Sequence, residues 1–323
     1  MPFDLEKRTR PLTDLPYTGG PVVYWLSREQ RHQDNFPLLQ AQQTALAAQA
    51  PLAVVFTLAP AFLGATRRTY AFMLQGLAQV AADLAAYRIP FFLLRGDPPA
   101  ALAAFLQDNQ AGLLVTDFDP LRPKRQWKED LLRRRPLPAL EVDGHNIVPC
   151  WLASAKPEYG AYTLRPKLQR LLPDFLTDFP PLVPHPYPWP RPAPPWDWRE
   201  VLEELAPAAV GPPLPQWEPG EAAAHRALAR FLAERLPDYP TTRNNPAVAG
   251  QSDLSPYLHF GHLAPQRVAL AVRRANAPAA AKETFLEELI VRRELADNFC
   301  YYHPDYDQVS AFPPWAKRTL AQH

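Results

Sequence analysis

The sequence predicts two joined units: an α/β unit built on a doubly wound parallel sheet, then an all-α unit. Three observations lead there. Short runs rich in β-branched and aromatic residues recur through the first half, each separated from the next by a helical stretch. Strand signals vanish after Gly220, leaving helical patterns only. Between the two lies a proline-dense segment, residues 179–195 (FPPLVPHPYPWPRPAPP), with nine prolines in the sixteen residues after Phe179.

The strands follow in order. Residues 22–26 (VVYWL) and 52–58 (LAVVFTL) are continuous apolar runs, the mark of strands covered on both faces. Residues 91–94 and 113–116 repeat the pattern, and 140–142 carry it more weakly. Between the second and third runs, residues 70–87 place Phe72, Leu74, Leu77, Val80, Ala81 and Leu84 near a 3.6 period, so a helix is expected there. Strand and helix alternating in this way, at roughly 25 to 35 residue intervals, mean βαβ crossovers. In such sheets ligands sit at the carboxyl ends of the strands, where strand order reverses. No G-x-G-x-x-G follows the first strand, so a dinucleotide-binding turn and a plain NAD dehydrogenase are unsupported.

Residues 179–195 lack the N–H groups for a ladder or a helix and are expected to be an extended, semi-rigid linker; a motif for a proline-recognising partner is the other reading. Beyond it, helices are expected over 221–236, 265–274 with Pro265 opening, 279–301, and a short piece around Trp315. The organisation is therefore 20–150 for the α/β unit, 151–220 for the connector and 221–323 for the helical unit.

Of 323 residues, 47% are hydrophobic and 21% charged, which excludes wholesale disorder. The net charge of +1 provides no global attraction to nucleic acid or membrane, so a polyanion would have to be held by a local patch. Cys150 and Cys300 are too few for a disulfide framework and lack zinc-site pairing, which points to a reducing, cytoplasmic setting. The longest apolar run, 52–65, is interrupted by Pro60 and too short to span a bilayer, so no membrane partner is expected.

Four constellations could carry chemistry. Ser27 to Asn35 (SREQRHQDN) directly follows the first strand, with Asp34 or Asn35 placed to cap the next helix; a ligand loop and a solvated βα loop both fit. Ser255 at an N-cap and Pro256 at the first helical position predict a helix N-terminus suited to a phosphate, with Ser252 one turn upstream; Ser-Pro also opens many helices that bind nothing. Glu288 and Arg292 lie four apart on one helical face, either as a surface ion pair or facing a pocket. Finally, Arg122, Lys124, Arg125, Lys128, Arg133, Arg134 and Arg135 could track phosphates, although a solvated helix face explains them too.

Together these pieces resemble the photolyase and cryptochrome flavoproteins, and among them the class II cyclobutane pyrimidine dimer photolyases. The resemblance rests on residues 22–35 (VVYWLSREQRHQDN), 69–94, 243–245, 254–267 (LSPYLHFGHLAPQR) and 285–302 (FLEELIVRRELADNFCYY). It implies an α/β antenna domain, a long connector and a helical domain holding FAD in a bent conformation. Tyr239, Gln251, Ser252, Asp253, Leu254 and Ser255 match the family's FAD contacts, and Phe285 matches a position beside the flavin. Arg243 and Arg292 correspond to positions facing DNA, and Glu288 to the carboxyl that hydrogen-bonds the damaged bases. The loop 27–35 would border an antenna site for 8-hydroxy-deazaflavin or a folate.

The implied activity is light-driven, FAD-dependent electron-transfer repair of pyrimidine dimers in ultraviolet-damaged DNA, by a protein monomeric when complete. Members of that family continue well beyond the position of His323. The chain is therefore expected to be a truncated form, with Leu286, Leu289, Ile290 and Phe299 short of packing partners and Trp315 the only tryptophan after Trp217. An inactive fragment and a cryptochrome-like blue-light receptor are the alternatives.

Overall fold

The computed structural model describes residues 5–205 and 217–322, so the part of the expected connector at 206–216 lies outside the described residues. Six strands form one sheet: β1 (Thr9–Pro11), β2 (Val22–Leu26), β3 (Leu52–Leu58), β4 (Phe91–Arg95), β5 (Leu113–Asp117) and β6 (Ala139–Val142). Their spatial order is β1-β6-β5-β2-β3-β4, with all pairs parallel except β1 and β6. The chain therefore leaves β2 in one direction through β3 and β4, then returns to its other side with β5 and β6. This reversal puts the switch point at the carboxyl ends of β2 and β5.

All five residues of β2 are buried, as the unbroken run VVYWL requires of a central strand. Alternation divides them: Val22, Tyr24 and Leu26 join one core with Phe36, Leu74 and Leu77, while Val23 and Trp25 join the opposite core with Leu102, Leu106 and Leu131. The edge strand β1 carried no sequence signal. It is three residues long, ends at a proline that cannot donate to a ladder, and is held by Arg10 paired with Glu141.

The helices of the α/β unit are α1 (Phe36–Ala47), α2 (Arg67–Ala86), α3 (Pro98–Asp108) and α4 (Arg122–Arg134). Asn35 caps α1, its Oδ1 accepting from Leu38 N at 2.9 Å. Helix α2 starts three residues before the expected 70, because Thr66 supplies an N-cap. After the sheet come α5 (Cys150–Ala153), α6 (Ala161–Phe175), α7 (Trp198–Glu204), α8 (Glu221–Glu234), α9 (Tyr239–Thr242), α10 (Ser255–Phe260) and α11 (Pro265–Arg274). The last long stretch is α12 (Ala279–Leu286), a π-helical turn (Glu287–Arg292) and α13 (Arg293–Tyr302), followed by α14 (Pro314–Gln322).

One expectation about the second half needs correction. Helix α6, within the expected connector, contributes Leu164, Leu168 and Phe175 to one core with Phe231, Val268, Leu289 and Ile290. For the same reason Leu289 and Ile290 are buried, at 5% and 3% exposure, and Leu286 and Phe299 are only half-exposed. Leu289 and Ile290 thus find partners in α6, α8 and α11, and Leu286 packs against the same core. The proline-rich segment forms neither helix nor strand, as anticipated, but it is laid on the α/β unit: Trp189 stacks on Phe105 at 6.1 Å and His185 N donates to Tyr87 O at 2.8 Å. No helix among the described residues is long and apolar enough to cross a membrane.

Candidate functional site

Two neighbouring regions gather the expected residues. The first is a cavity of about 680 Å³ at the switch point, between the carboxyl edge of the sheet and helices α10 and α13. Asp117, at the end of β5, is fully buried and organises the loop after β2 that lines the cavity. One carboxylate oxygen accepts the backbone N–H groups of Ser27, Arg28 and Glu29 at 2.8, 2.6 and 3.0 Å, and the other accepts the Tyr24 hydroxyl at 2.5 Å. Three otherwise unpaired donors are thereby fixed at the strand end. Gly261, at φ +72°, lets α10 end against this loop, since a Cβ there would stand 2.0 Å from Arg28 O.

The cavity wall carries three basic side chains, Arg28, Lys124 and Arg293, and two acids, Asp119 and Asp297. Arg28 pairs with both oxygens of Asp297 at 3.2 Å, and Arg293 contacts His145 Nε2. Burial, reinforced by Arg28 and Arg293, pushes His145 well below the usual imidazole range, so it is neutral. Lys124 reaches Ser27 Oγ at 3.0 Å and lies 4.4 Å from the Trp127 ring centre; burial brings its amine down to about 8. Two buried polar atoms here, Gln30 Oε1 and Arg293 Nη1, have no hydrogen-bond partner. Buried groups of this kind are ordinarily satisfied, so a polar ligand in the cavity would complete them.

The second region holds Tyr239, Arg243, Gln251, Phe285 and Glu288 in one connected patch. Tyr239 and Phe285 are buried with ring centres 5.2 Å apart, and both meet Phe231. Arg243 Nη1 donates to Glu288 Oε1 at 2.6 Å, while Gln251 Nε2 donates to Arg243 O. Asp253, at φ +57°, pairs with Arg235 Nη1 at 2.5 Å, and the same guanidinium holds Gln251 O at 2.9 Å. Gly250 permits the close approach of this loop to α9, since a Cβ would stand 2.6 Å from Thr242 Oγ1. Gln251, Asp253 and Ser255 are exposed and Ser252 is half-exposed, so the loop lies outward with room for an anion. These residues fit one open wall of a flavin nucleotide site: an apolar aromatic base flanked by hydroxyls and an accessible loop.

Three details differ from the expectation. Ser255 is the first helical residue and not the cap, which is Leu254, fully buried; Ser252 Oγ instead accepts Leu254 N at 3.4 Å. Glu288 and Arg292 do not pair: within the π turn at Glu287–Arg292, Glu288 meets Arg243 and Arg292 meets Glu287. Arg292 is 57% exposed and lies 3.4 Å from Glu287, which Arg165 holds at 2.7 Å. Nor is the basic run on α4 a free stripe. Lys128 is buried on Asp117 O and Glu141, and Arg122 and Arg125 bond α13 and the turn after it, which leaves Arg133, paired with Asp130, and Arg134 exposed.

Sequence reasoning missed Asp117, Arg235 and the π turn, and it gave Arg293, on the same helix as Glu288, no role of its own. Asp117 had one signal, an acid at the end of an apolar run. The others had none, since their partners lie far away in the chain.

The family model for DNA photolyase matches residues 22–187. A deoxyribodipyrimidine photo-lyase of Potorous tridactylus is 46% identical over 304 residues, covering 93% of this chain and 57% of that protein. The Arabidopsis thaliana protein of the same name is 45% identical over 321 residues, covering 96% and 64%. The chain thus spans about three fifths of the length of these curated relatives. Among solved structures, a Synechocystis cryptochrome superposes with a TM-score of 0.73 at 18% identity, covering 90% of this chain and 63% of that one, a likeness of fold.

Proposed function

Because the chain belongs to the DNA photolyase family, we propose that it acts as a deoxyribodipyrimidine photo-lyase of the class II type, repairing pyrimidine dimers in DNA with bound FAD and light. The observation that carries this reading is the patch itself. Arg243 and Glu288, 2.6 Å apart and both partly exposed, stand beside the buried Tyr239–Phe285 pair. When bound, reduced FAD would supply the light-driven electron and recover it after the cyclobutane ring opens, with no net redox change.

The chain's own residues bind, orient and exclude water. Tyr239 and Phe285 provide an apolar surface for the cofactor, and Gln251, Ser252, Asp253, Leu254 and Ser255 border its nucleotide, with Ser252 and Ser255 offering hydroxyls to the diphosphate. Arg243 and Glu288 hold each other until DNA arrives. The guanidinium then exchanges its carboxylate for a backbone phosphate, and the freed carboxyl turns to the polar edges of an extruded dimer. Arg292, more exposed and turned aside, adds phosphate contact, so binding should weaken as salt rises.

The switch-point cavity would take the antenna chromophore, a deazaflavin or a folate. Its volume lies in the range of about 300–1,000 Å³ usual for such ligands, and its unpartnered Gln30 and Arg293 atoms support a polar, planar occupant. Cys150 and Cys300 are free thiols, in keeping with a reducing cytoplasm. The units 20–150, 151–220 and 221–323 are part of the same reading, with α6 lent by the connector to the helical core.

The test is incubation of the 323-residue chain with reduced FAD and a dimer-containing oligonucleotide under near-ultraviolet or blue light. Light-dependent loss of dimer, diminished in Glu288→Gln, is expected. Flavin binding and photoreduction without loss of dimer would reject repair in favour of a blue-light receptor. Failure to take up FAD would reject the flavin site.

A further inference from the structure

We propose that His32, Asp83 and Glu221 form a site for a borderline divalent cation such as Zn²⁺, which pins the start of α8 to the α/β unit. The three donors come from segments far apart in the chain: the loop after β2, helix α2 and the first residue of α8. His32 Nδ1, Asp83 Oδ2 and Glu221 Oε2 all lie within 4.8 Å of one another. The imidazole nitrogen is 2.8 Å from Glu221 and 3.3 Å from Asp83. Ligands of one tetrahedral ion at about 2.0–2.2 Å stand about 3.4 Å apart, so small side-chain adjustments bring this triangle onto a common ion.

A second observation points to a ligand independently of the clustering. The His32 side chain is nine-tenths buried, and its Nδ1 has no hydrogen-bond partner although a carboxylate oxygen lies at 2.8 Å. A ring nitrogen this close to two carboxylate oxygens is placed to share a cation with them. Burial disfavours protonation of His32, but hydrogen bonding of the protonated ring to Glu221 and the charges of Glu221, Asp83 and Asp34 outweigh it and raise its pKa, so the site is locally negative. Asp34, the next acid, is already spent on Arg267 at 2.6 Å.

The surroundings orient the ligands. Glu221 Oε2 and Oε1 accept the backbone N–H groups of His32 and Gln33, each at 3.1 Å, which fixes the carboxylate while leaving lone pairs for a metal. Asp83, 45% exposed, gives the ion an entry path and leaves room for water as a further ligand. Gln79, one turn before Asp83, donates to Pro219 O at 3.2 Å, so α2 and the start of α8 are already in register. One imidazole with two carboxylates favours Zn²⁺ or Mn²⁺ over Mg²⁺ and Ca²⁺, which prefer all-oxygen sets.

The experiment uses the untagged 323-residue chain, stripped with chelator and titrated with Zn²⁺ by calorimetry and with Co²⁺ by visible absorbance. One equivalent should bind at micromolar affinity or tighter, raise the thermal midpoint and give Co²⁺ bands that Zn²⁺ displaces. Asp83→Asn removes a half-exposed ligand with no other partner among the described contacts. It should weaken binding by about tenfold or more, since even outer-shell changes cost about that, and should erase the thermal gain. His303→Gln, a distant histidine, should change neither. Absence of saturable uptake, equal affinity in Asp83→Asn, or equal loss in His303→Gln would overturn the proposal.

Discussion

Replacing Arg8 tests how the two halves are held together. Its guanidinium is 1% exposed and donates five hydrogen bonds, to the carbonyls of Asp143, Asn146, Ile147 and Phe175 and to Gln266 Oε1, at 2.8 to 3.2 Å. It also lies 4.2 Å over the Phe36 ring. One side chain thus joins the end of the sheet, the close of α6 and the start of α11. Burial lowers its pKa to about 10 against the pull of Asp143, Glu294 and Glu29, so keeping the charge inside already costs about 3 kcal/mol. The bonds offset that cost.

Arg8→Met keeps much of the apolar stem and removes every donor. Five buried acceptors then lose their partner at once, and losses of this kind run to about 3–5 kcal/mol. That is a large share of a typical total of about 5–15 kcal/mol. Urea unfolding followed by tryptophan fluorescence measures the loss, and hydrogen exchange should rise first around residues 143–147. A loss below about 1 kcal/mol would refute the view of Arg8 as a strut between the halves.

Other outcomes follow from the site. Glu294 is buried, its Oε1 accepting Ile147 N at 2.7 Å, and burial raises its pKa from 4.5 to about 8. The folded state then binds more protons than the unfolded one between those values. Stability should fall as pH rises from about 4.5 to 8, and Glu294→Gln should flatten that fall in denaturation midpoints taken across the range; parallel curves would count against it. Lys124 titrates near 8, so the affinity of the cavity for an anionic folate should drop as pH rises through that value, and Lys124→Met should abolish the dependence in a fluorescence titration. Glu288→Gln should cost less than about 1 kcal/mol of stability, because its pair with Arg243 is partly solvated. A large loss by calorimetry would recast Glu288 as a structural residue.

Periodicity and composition alone determined the strands 22–26 and 52–58, the helix 265–274 and the extended proline segment. Each is a local matter: continuous burial selects apolar runs, and proline removes donors wherever it stands. The motif around residues 285–302 pointed to the family for the same reason, since a string of side chains can be read without knowing its neighbours. Tertiary structure decided everything that depends on partners brought from afar. The sequence could not reveal that α6 helps build the core for Leu289 and Ile290, or that Glu288 meets Arg243 while Arg292 meets Glu287. Nor could it foresee Asp117 gathering the amides of Ser27 to Glu29. The physical reason is common to all three: a polar or apolar group states what it needs through its chemistry, but only the folded chain decides which distant residue meets that need.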